Sequence, residues 1–311
     1  MTNNNSEKAA LARERIRAIT GDPLAREAAV RPHEELVKRL HEDSMARLSI
    51  RKEKKKAAFP FIRKLIEVTG KEEPEAIWNL PVKTHVLQTT PRATERRRIE
   101  SAILLGSVEA VFTPPYDFEW TQGFGGDFGD WNTKSAPTSK QQMLADKSTG
   151  DIKLHNRVVL EDFNSVYAGL AVFYRPLTSG FKRFRFGVEW EFSWVDDSSL
   201  LTANNTAYVR ITVYEYNLDG SNFTTIVNQQ FQQWSDGTGW YETHSDSGSG
   251  LSGGFESIPF PASPDKAYTL WAWCSCEVQS DDENVAGFLP VGSFADAALA
   301  MHIPAMSIKE A

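Results

Sequence analysis

The clearest pattern along the chain is an alternation. From Phe181 to Val195, six large apolar residues (Phe184, Phe186, Val188, Trp190, Phe192 and Trp194) occupy every second position, with Arg183, Arg185, Glu189, Glu191 and Ser193 between them. Successive side chains of a strand point to opposite faces, so this register loads one side of a sheet with bulky apolar groups. Such a face demands a second apolar layer opposite it, and the segment predicts a two-layer β protein. A second alternation runs from Ala267 to Val278. It places Tyr268, Leu270, Ala272, Cys274, Cys276 and Val278 on one face, and Thr269, Trp271, Trp273, Ser275 and Glu277 on the other.

Before residue 100 the period is helical. Ser6 caps a run of helix formers that stops at Gly21, Asp22-Pro23 reads as a cap followed by proline at the first helical position, and Pro32 should restart or kink the next helix. From His33 to Phe59 the apolar residues Leu36, Val37, Leu40, Met45 and Leu48 share one face, with Glu34/Lys38, Glu35/Arg39 and Asp43/Arg47 at i,i+4 on the remainder. This stripe is read as a partner-binding surface for a second copy, another protein or the chain's own second half. Pro60 ends the helix, FIRKLIEV forms another, and residues from Val82 to about Arg98 form a connector.

After Ile103 the Pro, Gly, Ser, Thr and aromatic content rises, which marks an α-to-β boundary. The predicted strands are Val108 to Trp120, Ile152 to Glu161, Val166 to Arg175, Phe181 to Val195, Ala207 to Asn217, Phe223 to Trp234, Phe255 to Phe260, Ala267 to Val278 and Ala297 to Ile308. With Ser179-Gly180 and Asp219-Gly220 as turn signals, they describe an antiparallel, jelly-roll-like sandwich. The expected organisation is a helical, basic arm over residues 1–100 and an all-β domain over residues 101–311. His244 to Gly254 (HSDSGSGLSGG) reads as a mobile, exposed loop.

Charge sharpens that division. The first 100 residues hold 22 basic and 15 acidic side chains and the remainder 12 and 26, so +7 stands against −14. The basic groups are interleaved with Glu, which favours docking of the arm on an acidic neighbour or another copy over binding of nucleic acid. The densest cluster, RKEKKK from Arg51, suits a solvated helix end. No run approaches the roughly 20 apolar residues of a membrane span, and the N-terminus lacks the apolar region of a secretory signal, so the expected compartment is the cytosol. Cys274 and Cys276, at i and i+2 of a strand, are expected as reduced core thiols.

Candidate chemistry adds little to the architecture. If the Tyr268 face is the core face, Trp271 and Trp273 stand outside, where exposed indoles would stack on sugars or anchor a partner, unless a helix of the arm or another subunit covers them. Trp234, Trp240 and Tyr241, around the glycine-rich loop, extend this into a candidate ligand-binding rim. Thr113 to Trp131 (TPPYDFEWTQGFGGDFGDW) lacks the glycine order of a phosphate loop, its Asp127-Phe128-Gly129 stands without the other kinase motifs, and Asp117, Asp127 and Asp130 have no calcium-site spacing. Glu189 and Glu191 are candidate glycosidase carboxylates, but Arg183 and Arg185 on the same face point to ion pairs. His244, Ser245 and Asp246 are adjacent in sequence, which is a poor arrangement for a triad. His33, His41, His85, His155 and His302 have no metal-ligand spacing, and no cofactor is implied. The sequence thus predicts a non-enzymatic binding or assembly protein. Its alternatives are a lectin-like carbohydrate-binding module, a capsid-like subunit and a jelly-roll glycoside hydrolase.

Overall fold

A computed structural model describes residues 29–47, 49–50, 108–125, 127–128, 140–159, 162–198, 202–219, 221–238, 242–280 and 293–311. One helix, α1, covers residues 29–47 with 49–50 also helical, and the run continues through Pro32. Every other described element is a strand, and the strands form two antiparallel sheets packed as a sandwich. Among the described residues no helix is long and apolar enough to cross a membrane.

The large sheet is built around β7 (Gly180–Ser198), the segment with the strongest alternation. One edge of β7 carries β13 (Ser293–His302) and then β14 (Met306–Glu310), and the other carries β10 (Glu242–Glu256) and then β11 (Phe260–Ala262). Beyond β14 lies β1 (Val108–Phe112), and beyond β13 lie β5 (Asp151–Val159), β4 (Lys140–Asp146) and the two-residue β3 (Asp127–Phe128), the last pairing parallel. The small sheet has the order β2 (Phe118–Phe124), β6 (Asp162–Tyr174), β12 (Lys266–Ser280), β8 (Ala203–Asn217) and β9 (Thr224–Gly237). From β5 to β8 each successive strand crosses to the opposite sheet, the connectivity that gives the sandwich its jelly-roll-like character.

The two alternating segments meet face to face. Phe184, Phe186 and Val188 of β7 are buried against Leu270, Ala272, Cys274 and Cys276 of β12 and Val209, Ile211 and Val213 of β8. Trp190 and Phe192 pack on the same core but are only partly buried, because β9, opposite them, is the edge of its sheet. Both cysteines are free and buried, and burial raises their thiol pKa values. A lysine also enters this layer. Lys182 is buried between the carboxylates of Glu109 and Glu310, whose hydrogen bonds and charges hold its pKa above the ordinary value against the opposing effect of burial.

Four sequence expectations are corrected. The stretch from Val108 to Trp120 is two strands, β1 and β2, and the final stretch is likewise split into β13 and β14. Much of the supposed loop from Thr113 to Trp131 is strand β2. The supposed loop from His244 to Gly254 is strand β10, exposed as expected but paired along β7. The small residues are there for a steric reason. Gly248 and Gly250 sit opposite Phe192 and Trp190, and a Cβ added at either would lie 2.9 Å from the facing ring.

Helix α1 lies on the outer face of the small sheet. Ala29, His33 and Val37, at spacings of four, are buried there, with Val30, Leu36 and Leu40 packed around them. The described ion pairs of α1 are within the helix (Arg31–Glu35 and Lys38–Glu42) and exposed, so apolar and aromatic contact, with hydrogen bonds at His33 and His41, holds it in place. His33 stacks on Trp271 at 4.2 Å and 2°, meets Trp120 and Trp273 edge-on, and shares a hydrogen bond of 3.2 Å with Tyr214 Oη. Arg210 and Tyr214 of β8 are the titratable groups facing it.

Burial, reinforced by the Arg210 charge, lowers the His33 pKa from 6.5 to about 3. The folded protein therefore binds fewer protons than the unfolded chain between these values, and stability falls as the pH drops below about 6.5. His33→Phe keeps the ring and removes the proton site. Denaturant titrations from pH 7 to pH 4 should show wild type losing about 1.4 kcal/mol per pH unit more than the variant; parallel losses would remove His33 as the cause.

Candidate ligand-binding surfaces

The predicted rim residues separate. Trp271 and Trp273 do stand on the face of β12 away from the core, but α1 covers that face and leaves both indoles 0% exposed. They are therefore not an open platform while α1 is seated. Covering by a helix of the arm was the alternative the sequence left open, and the helical stripe and the indole pair explain each other. Leu36, Val37 and Leu40 of the predicted partner surface face this sheet, whereas Met45 is 42% exposed. Leu48, Trp240 and Tyr241 lie outside the residues described.

Trp234 belongs to a second surface. It stacks on Phe192 with centroids 5.0 Å apart at 24°, and Phe192 in turn stacks on Trp190 at 5.4 Å and 27°. These three half-buried rings, with Val188, Val209, Gln233, Leu299 and Met301, line a cavity of about 100 Å³ between the sheets. It lies where β9 edges the small sheet and β10 the large one. Gly248 and Gly250 set no side chain over Phe192 and Trp190, so the rings can reach this lateral opening.

At one end of the cleft the inter-sheet layer turns polar. Asp196 of β7 is buried and accepts a 2.5 Å hydrogen bond from Asn205 Nδ2, while Asn205 Oδ1 accepts from the Trp234 indole N–H. Asp236 Oδ2 pairs with His244 Nδ1 at 2.9 Å. Burial, with the charges of Asp236 and Asp296, pushes the Asp196 pKa from 3.8 up to about 8, although the Asn205 hydrogen bond opposes the shift. Asp296 has the opposite character. Burial raises its pKa, but His155 and Arg157, each bonded at 2.8 Å, outweigh burial and hold it below the ordinary value.

Arg183, on the face of β7 that carries Glu189 and Glu191, forms a cross-strand ion pair with Glu256. His244, Ser245 and Asp246 are consecutive in β10, so their side chains alternate between faces and cannot converge. Asp117 accepts from the Phe173 backbone N–H at 2.7 Å, and among the described residues no group of His, Cys, Asp and Glu is arranged to hold a metal. The sequence did not single out Trp190 and Phe192 as site residues, because their alternation marks them equally well as ordinary core.

No family model matches the chain, and no curated protein matches it. Among solved structures, one from work on the promiscuous specificity of carbohydrate-binding modules of the β-sandwich superfamily is 9% identical, with a TM-score of 0.24, covering 65% of this chain and 63% of the other. A second, TmCBM61 in complex with β-1,4-galactotriose, is 11% identical with a TM-score of 0.19, covering 55% of this chain and 88% of the other. A structure of the Gx strain of infectious bursal disease virus is 14% identical with a TM-score of 0.11, covering 59% and 45%. None of these transfers a ligand or a partner to this chain.

The raised pKa of Asp196 gives a stability contribution that is whole below 3.8 and is lost as the pH rises through about 8. Asp196→Asn keeps the bond pattern without the charge. Between pH 5 and pH 8 the variant should gain on wild type by about 1.4 kcal/mol per pH unit in denaturant titrations; a constant difference would mean that Asp196 titrates normally.

Proposed function

We propose that the chain is a non-enzymatic binding module that takes a carbohydrate ring into the lateral cleft. The observation that supports this most is the stacked row Trp190–Phe192–Trp234, partly exposed beside Gln233 in a cavity of about 100 Å³. The C–H face of a pyranose packs on an indole while a side-chain amide and water serve its hydroxyls, so the partly exposed rings support this reading. The hydrogen bond from Trp234 to Asn205 fixes the indole before any ligand arrives, which reduces the ordering cost of binding. A hydrolytic reading would need an acid that touches the ligand, and Asp196, the carboxyl with a raised pKa nearest the ring row, is fully buried. Isothermal titration of an oligosaccharide panel tests the module. Trp234→Ala should weaken any ligand found at least tenfold and leave the far-UV spectrum unchanged; binding that survives this change places the ligand elsewhere.

A second reading, assembly through the arm, draws on the outward Met45 and Ile50, which are 42% and 55% exposed on α1. Light scattering after size exclusion of the full chain should then show an oligomer that Met45→Glu with Ile50→Glu dissociates. A monomer at high concentration removes this reading.

A further inference from the structure

The outer face of the small sheet carries more hydrogen-bonding capacity than α1 uses. Across β2, β6, β12 and β8 the side chains in register are Trp120, Gly169, Trp273 and Arg210, with Phe118, Ala171, Trp271 and Thr212 in the next row. Gly169 belongs to the design of this face. A Cβ there would lie 2.6 Å from Trp273 Cβ and 3.4 Å from the Trp271 ring, so glycine alone lets the two indoles lie flat across β6. Arg210 in turn lies over the rings of Trp273 and Tyr208, at 5.0 and 4.7 Å.

Among these rings, polar atoms are buried without a partner. Trp271 Nε1, Arg210 Nε and Ser275 Oγ make no hydrogen bond, and neither does His33 Nε2 on the helix side. Each such group has lost its hydration without gaining a protein partner in exchange. An interface shaped only for α1 would present apolar groups at these positions. The helix matches the rings and leaves the donors unsatisfied. A flat ring bearing hydroxyls would match both, and His33 already shows the pose, lying parallel to Trp271 at 4.2 Å.

We propose that this face is a second ring-binding surface, for a hydroxyl-rich carbohydrate, and that α1 is its displaceable occupant. Indoles and the Arg210–Trp273 stack supply the platform, while Trp271 Nε1, Arg210 Nε and Ser275 Oγ supply the donors that α1 leaves idle. The site is separate from the lateral cleft, which lies between the sheets.

The test uses the full chain with Val37, the buried centre of the helix contact, changed to Asp and, more mildly, to Ala. Acrylamide quenching of tryptophan and hydrogen exchange over residues 29–47 report whether α1 has left, and far-UV spectra report the sandwich. Affinity gels containing hydroxyethylcellulose, β-1,4-galactan, arabinoxylan or glucomannan report binding. The proposal expects at least one polysaccharide to retain a helix-released variant at least tenfold more tightly than wild type. Adding Trp271→Ala should abolish that gain and Trp234→Ala should leave it intact, which separates this surface from the cleft. Should Val37→Asp unfold the sandwich, Val37→Ala carries the same comparison. The proposal fails if α1 stays protected in the folded variants, or if it leaves and none of the four polysaccharides is retained.

Discussion

The structure depends on one requirement, that the apolar face of β7 be covered along its length. Three buried residues, Phe184, Phe186 and Val188, press on β8 and β12, and because β7 is hydrogen-bonded on both edges it cannot rotate that face away. The large sheet is assembled outward from this strand, with two successive partners on each side. The coverage weakens toward Trp190 and Phe192, opposite the edge strand of the small sheet. The lateral cleft is therefore the place where the core runs out of opposing strand, and its aromatic lining continues the same alternation.

The small sheet poses a second problem of the same kind. Its strand β12 is apolar or aromatic on both faces, so that one layer of sandwich covers only half of it. Helix α1 supplies a third layer over the indoles. The helix that the charge pattern set apart as an arm is thereby seated on the sandwich, and its contacts there centre on rings, chiefly the stack of His33 on Trp271.

What could be read from the sequence divides along physical lines. Local periodicity determines which side chains share a face, so both faces of β12 and the inward set of β7 were legible residue by residue. Pairing is a long-range property, and it was not legible. Strand β10 carries Ser and Gly where a strand ordinarily carries branched or aromatic residues, and only its neighbour's rings make that composition favourable. Likewise, nothing local in His33 distinguishes a solvated histidine from one stacked on Trp271, although its spacing of four from Ala29 and Val37 is the signal that would have placed it inward. For the candidate sites, Trp234 was identified by composition near a glycine-rich stretch, whereas its partners Trp190 and Phe192 emerged only with the sheet edges in view.

The glycines of β10 have a further consequence, for where structural information is stored. A strand of serines and glycines says almost nothing about its own alignment, since it carries no apolar pattern to mark which face turns inward. The alignment is written instead in β7, whose two rings accept only the positions without a Cβ, Gly248 and Gly250. The outward serines of β10 are then free to vary without misplacing the strand, while a change of ring size at Trp190 or Phe192 would erase the instruction that a neighbouring segment needs in order to find its place.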